Sequence, residues 1–134
     1  MIYLLDTDIA SYAIKSKSPQ VDRKLAVVPS SQVVISAISR AELLYGLKKL
    51  PPSHPLHTTV NEFLRMIRVL PWESESGEWY AEIRFQLVSS GQSIGQVDMM
   101  IAAHALALGA TLVTNNTRHY GRIQAPLLLE NWAK

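Results

Sequence analysis

The sequence predicts an α/β domain with a mostly parallel sheet of four to five strands and helices on both faces. Short apolar runs alternate with longer helical patterns, and the runs are too short and evenly spaced for an all-helical bundle. Each run also reads as buried on both sides, as strands of a covered parallel sheet do. The chain has 134 residues, 48% hydrophobic and 18% charged, which suits one folded domain over residues 1–134 with a core of its own.

In chain order, the strand candidates are IYLL at 2–5, VVIS at 33–36, RVLPW at 68–72, TLVT at 111–114 and LLLE at 127–130. Helices are expected over residues 8–16, 19–27, 39–50, 55–67, 75–90 and 96–109, each bounded by Ser, Asp, Pro or Gly. The prolines of LPPSHP at 50–55 mark the exposed tip of a helical hairpin. No internal repeat or low-complexity segment interrupts the pattern.

Composition narrows the chemistry. The chain has no cysteine, which excludes disulfides and thiolate zinc sites and agrees with a reducing, cytoplasmic setting. The opening MIYLLDTD lacks a basic leader, and no segment approaches the length of a membrane span. A net charge of +2 permits a nucleic-acid partner without requiring one.

The acids fall in an informative place. Sites in open parallel α/β sheets form beyond the carboxyl ends of the strands. Asp6 and Asp8 follow the first run, Ser36 closes the second, and Glu42 is expected in the first turn of the helix after it. Thr114, Asn115 and Asn116 close TLVT. The helix carrying Asp98 runs antiparallel to that strand, so its N-terminal turn returns to the same edge. In SIGQVDMMIAAHALALGA at 93–110, Asp98 is the lone carboxylate and projects near Ile101, Ala102 and Ala105. A partly buried carboxylate needs a partner. No Lys or Arg lies between Arg84 and Arg118, which makes a shared cation a candidate.

Each residue also has a purely local reading. Ser39 and Glu42 fit a capping box, Asp8 fits a helix N-cap, and Asn115 and Asn116 fit a turn. SIGQ at 93–96 fits a second capping box, with Gly95 as the alternative cap. What these readings leave unexplained is why all four clusters fall at one end of the sheet. Two carboxylates about 4 Å apart repel by about 4 kcal/mol at an effective dielectric near 20, and a hard divalent cation reverses that sign. Oxygen donors favour magnesium, whereas zinc calls for His or Cys. The histidines, at 54, 57, 104 and 119, show no zinc-binding spacing, and His104 reads as a packed imidazole.

LLDTD, ISRAELLYG, IGQVDMMIAAHAL and LVTNNTRHYGRI, in this order and spacing, resemble the PIN domain, and specifically the VapC toxins of VapBC toxin–antitoxin modules. The resemblance spans nearly the whole chain. It implies a Rossmann-like fold, an endoribonuclease dependent on Mg²⁺ or Mn²⁺, a homodimer, inhibition by a VapB-type antitoxin, and operator DNA reached through that antitoxin. The family's acids fall on Asp6, Glu42 and Asp98, with Asp6 and Asp98 as metal ligands. Its fourth acidic position falls on Asn116, where this chain carries an amide, and many relatives carry Asn in place of Asp8.

On that basis Glu42 completes the acidic set or orients the attacking water, and hydrolysis leaves a 5′-phosphate and a 3′-hydroxyl. Asn116 joins the catalytic set and with Thr114 is expected to position water or substrate, Asn115 and Arg118 are expected to bind substrate, and His119 and Arg122 lie near the phosphate backbone. Tyr45, Trp79 and Tyr120 read as base-stacking or packing aromatics. The resemblance suggests structured RNA, a tRNA anticodon loop first. Two rivals stand beside it. LLDTDIA fits the DxD of a haloacid-dehalogenase-like phosphatase, but that family needs a downstream Lys, and none lies between Lys49 and Lys134. A non-catalytic binding domain would use the acids to hold an antitoxin's arginine. The helix pair from Ser39 to Ile67, with Leu47, Leu50, Phe63 and Met66, is either an exposed antitoxin seat or packed on the sheet.

Overall fold

A computed structural model describes every residue, Met1–Lys134. Five strands form one sheet in the order β3-β2-β1-β4-β5, all neighbours parallel. They are β1 (Tyr3–Leu5), β2 (Val33–Ser36), β3 (Arg68–Leu70), β4 (Thr111–Val113) and β5 (Leu128–Glu130). Seven helices connect them: α1 (Thr7–Lys15), α2 (Pro19–Val27), α3 (Ala37–Lys48), α4 (Leu56–Met66), α5 (Ser74–Ser89), α6 (Gln96–Leu108) and the short α7 (Thr117–Tyr120). The expected α/β class, parallel sheet and two-sided cover are all present.

Side chains one residue apart on a strand enter opposite layers. Leu4, Val34 and Leu112 join a core with α5 and α6, whereas Leu5, Ile35 and Val113 join a second core with α1 and α2. Each of these six is fully buried, which stabilises the fold by roughly 1.5–3 kcal/mol per side chain. The edge strands β3 and β5 are only partly buried, as their place in the sheet requires.

Most boundaries fall within a residue or two of expectation, and the differences have causes. β3 ends at Leu70 rather than at residue 72, because Pro71 has no N–H to continue a ladder. Ser18 caps α2 with Pro19 at its first position, and Gly109, at φ 64°, closes α6 with its N–H on Ala105 and Leu106. The tip at 51–53 is exposed, and His54 Nδ1 accepts from the Leu56 N–H at the start of α4. Of the apolar residues on the α3–α4 pair, Leu47 is buried, Leu50 and Phe63 are half-buried, and Met66 is 88% exposed. No helix is long and apolar enough to cross a membrane.

Candidate functional site

Parallel register places three polar residues in one row past the apolar sheet. Leu5 lies opposite Ile35 and Val113, so the next residues out are Asp6, Ser36 and Thr114. All three are buried, with Asp6 5% exposed. Their backbones are spent on the fold: the Asp6 N–H donates to Val113 and the Thr114 N–H to Glu130, both at 2.9 Å. That frees the side chains to define the floor of a site.

Asp6 has a structural duty. It is the N-cap of α1, accepting from the Ile9 N–H at 2.8 Å, and its carboxylate has the Thr114 hydroxyl as a neighbour that favours the charged form. Asp8, read from sequence as a possible N-cap, instead lies in the first turn and is exposed. Burial pushes the Asp6 carboxyl up to about 6 against the pull of those two groups, and the charges of Asp8 and Asp98 add to the rise. No Lys or Arg is among the groups acting on it.

Asp98 reaches the same row from the first turn of α6, whose N-cap is Gly95. The capping box proposed for Ser93 and Gln96 therefore does not form. Asp98 is partly exposed and lies next to Gly95, where the N-terminal amides of α6 favour a negative charge. Tyr120, 1% exposed, stands close to this carboxylate, and burial together with the charges of Asp98 and Asp6 holds its phenol far above the ordinary tyrosine range.

Glu42 arrives differently from expectation. Ser36, not Ser39, caps α3, so the second proposed capping box is also absent and Glu42 sits in the second turn. The Thr7 hydroxyl, adjacent to Asp6, is hydrogen-bonded to Glu42 Oε1 and lies 2.9 Å from the buried Ser39 hydroxyl. Glu42 is thus coupled to the Asp6 backbone through its neighbour. No three His, Cys, Asp or Glu side chains stand positioned together to hold a metal ion, so the expected closure of Asp6, Glu42 and Asp98 around one centre is not drawn tight here.

The fourth cluster divides. Thr114 Oγ1 accepts from the Asn116 N–H at 2.9 Å, and Asn116 Nδ2 donates to His119 Nδ1 at 2.9 Å. Asn115 is exposed and accepts from Asn131, away from that pair, and Arg118 is exposed on α7. His104 is the packed imidazole expected: buried, with Nδ1 2.8 Å from Ser36 Oγ, and burial lowers its pKa in favour of the neutral ring. Sequence reading missed Thr7 and gave Tyr120 only a stacking or packing role; position after LLD and inside NNTRHY were the available signals.

The donor set of this row is oxygen alone: two carboxylates near each other, one of them buried at an energetic cost, with a hydroxyl and an amide beside them. A hard divalent cation suits that set, because it would favour the ionised form that burial opposes. Next to the row, α1, α3 and α4 enclose a groove of about 390 Å³. Asp8, Glu42 and Lys15 line its polar side, and Leu43, Leu47 and Val60 its apolar side.

Comparison with known proteins gives a consistent picture. A family model described as PIN domain matches residues 3–124. The chain is 37% identical to Ribonuclease VapC2 of Rickettsia felis over the full length of both. It is 32% identical to the tRNA(fMet)-specific endonuclease VapC of Shigella flexneri over 98% of each. Among solved structures, VapBC2 from R. felis bound to a DNA fragment from its promoter aligns with a TM-score of 0.89 at 36% identity, covering 98% of this chain and 99% of that one. DNA-bound VapBC from Salmonella typhimurium aligns with a TM-score of 0.90 at 30% identity, covering 98% of each.

Proposed function

The chain belongs to the PIN-domain family, within the VapC ribonucleases, and from that premise we propose that it is the toxin of a toxin–antitoxin pair and a metal-dependent endoribonuclease. The observation that carries the chemistry is the buried row of Asp6 and Thr114 with Asp98 acting on it, two acids with no Lys or Arg among the charges that act on the buried one. A nuclease can use such a cluster, because the phosphodiester it cuts is itself negative and a cation held by the acids would reverse the local charge.

Asp6 and Asp98 would hold Mg²⁺ or Mn²⁺, with waters completing the coordination. Bound there, the ion would lower the pKa of water and offset charge growing on the phosphate. Glu42, steadied by Thr7, orients the attacking water and accepts its proton. Attack on phosphorus breaks the bond to the 3′-oxygen, leaving a 5′-phosphate and a 3′-hydroxyl. Asn116, whose amide holds His119, would offer its carbonyl oxygen to water or substrate, and Arg118 would supply a positive charge to the RNA backbone. Asn115, tied to Asn131, stands at the rim of the RNA path.

The relatives named for tRNA(fMet) make an anticodon loop the first RNA to test. The groove between α1, α3 and α4 is where a VapB-type antitoxin is expected to seat, and operator DNA would be bound through that partner. A second copy of the chain is expected on the face of α5 that exposes Phe85 at 75% and Val88 at 59%. An RNA substrate accords with action in the cytoplasm.

The test is cleavage of purified tRNA by the purified protein with Mg²⁺, with Mn²⁺ and with EDTA. End mapping should show 5′-phosphates with either metal and intact RNA with the chelator. Undiminished cutting in EDTA would overturn the metal role, and no cutting of any tRNA by a folded, antitoxin-free protein would overturn the ribonuclease reading.

A further inference from the structure

The Tyr120 hydroxyl is buried yet has no hydrogen-bond partner of full geometry. Leaving such a group unpaired costs roughly 1–3 kcal/mol, and phenylalanine would fill the same space without that cost. The hydroxyl is not in neutral surroundings. The charges acting on it are those of Asp98, Asp6 and Asp8, and Asp98 is also near enough to act as its hydrogen-bond acceptor.

The ring is held firmly while the hydroxyl waits. Tyr120 packs in the core beside Leu112 and Ile123, and its N–H donates to Asn116 at 3.3 Å. The strand of chain that follows is fastened from both sides by one residue of α5. Gln86 Nε2 donates to the Arg122 carbonyl at 3.2 Å, and Gln86 Oε1 accepts from the Gln124 N–H at 3.1 Å.

We propose that Tyr120 is a positioning residue for Asp98: its hydroxyl donates to one carboxylate oxygen, fixes the plane of the group and leaves the other oxygen to a divalent cation shared with Asp6. Carboxylates that ligate metals are commonly oriented by a donor of this kind, and loss of that donor typically weakens metal affinity about 10- to 100-fold. The inference rests on the metal-dependent reading above, and binding of the metal alone separates the two.

Mn²⁺ titrated into metal-free wild type, Tyr120→Phe and Asp98→Asn, with free ion followed by electron paramagnetic resonance, gives the affinities without RNA. Melting of each in EDTA reports the fold. Tyr120→Phe should bind Mn²⁺ about tenfold more weakly while melting at or above the wild-type temperature, because it removes an unpaired buried hydroxyl. Binding less than threefold weaker than wild type, with Asp98→Asn defective, would overturn the positioning role and leave the ribonuclease reading standing. Melting below wild type in EDTA would also overturn it, since the hydroxyl would then be supporting the fold. Absence of Mn²⁺ binding by the wild type would bring down both.

Discussion

Asp6→Asn should make the metal-free protein more stable while ending its activity. The Asp6 carboxyl, ordinarily near 3.8, stands at about 6 in the folded chain. At about 1.36 kcal/mol per pH unit, holding it ionised costs the native state up to about 3 kcal/mol above pH 7. The sign follows from burial: below about pH 3.8 the acid is protonated in both states and costs nothing, and stability is lost as pH rises through 6. Asparagine keeps a carbonyl for the Ile9 N–H but carries no charge to desolvate. For a chain of this size each kcal/mol moves Tm by roughly 3–5 °C, so a rise of about 3–10 °C is expected at pH 7.5 in EDTA, narrowing toward pH 4. His104 works in the opposite direction, because burial lowers its pKa and folding then loses stability as pH falls below 6.5. That contribution is common to both proteins and cancels in their difference. Melting by circular dichroism at one protein concentration, with tRNA cleavage in parallel, is the assay. An Asp6→Asn protein that melts at or below wild type at pH 7.5 in EDTA would refute the reasoning.

Other changes separate chemistry from fold. Asp98→Asn should abolish RNA cleavage and leave the circular dichroism spectrum unchanged; full cutting by that variant would remove Asp98 from the site. Thr7→Val removes the donor to Glu42 and should lower kcat at least tenfold, with stability within about 1 kcal/mol of wild type. Steady-state rates on one tRNA and a denaturant curve measure both. Ser36→Ala should destabilise the fold by about 1–3 kcal/mol in urea, since it leaves the buried His104 Nδ1 and the Ile38 N–H unpaired. Unchanged urea midpoints would show that water replaces the serine.

The sequence was most legible where a rule of topology acted. Asp6, Ser36 and Thr114 each end a parallel strand, so strand register alone put them side by side. It was least legible where neighbours competed for one local role. Asp8 fitted an N-cap, but α1 already begins at Thr7, so Asp6 takes the cap and Asp8 falls in the first turn. Ser39 fitted a cap, but α3 starts two residues early, Ser36 takes the cap and Ser39 is buried against Thr7. Glu42 was found as an acid, yet its tether is a long-range contact that no spacing encodes. Tyr120 looked like any core aromatic because burial of its ring and exposure of its hydroxyl to carboxylates are written on different segments.

The sheet order has a bearing on when the toxin can become toxic. β1, synthesised first, lies between β2 and β4, and β4 in turn needs β5 on its open edge. Asp6 therefore meets Thr114 only after the long intervening stretch that holds β2, β3 and six helices has been made, and Thr114 itself is anchored by the backbone of Glu130 in β5. Non-local pairing of this kind forms late. Until β4 pairs with β1 the first acid stands without its companions, so the acidic site is a late product of folding rather than a property of any local segment.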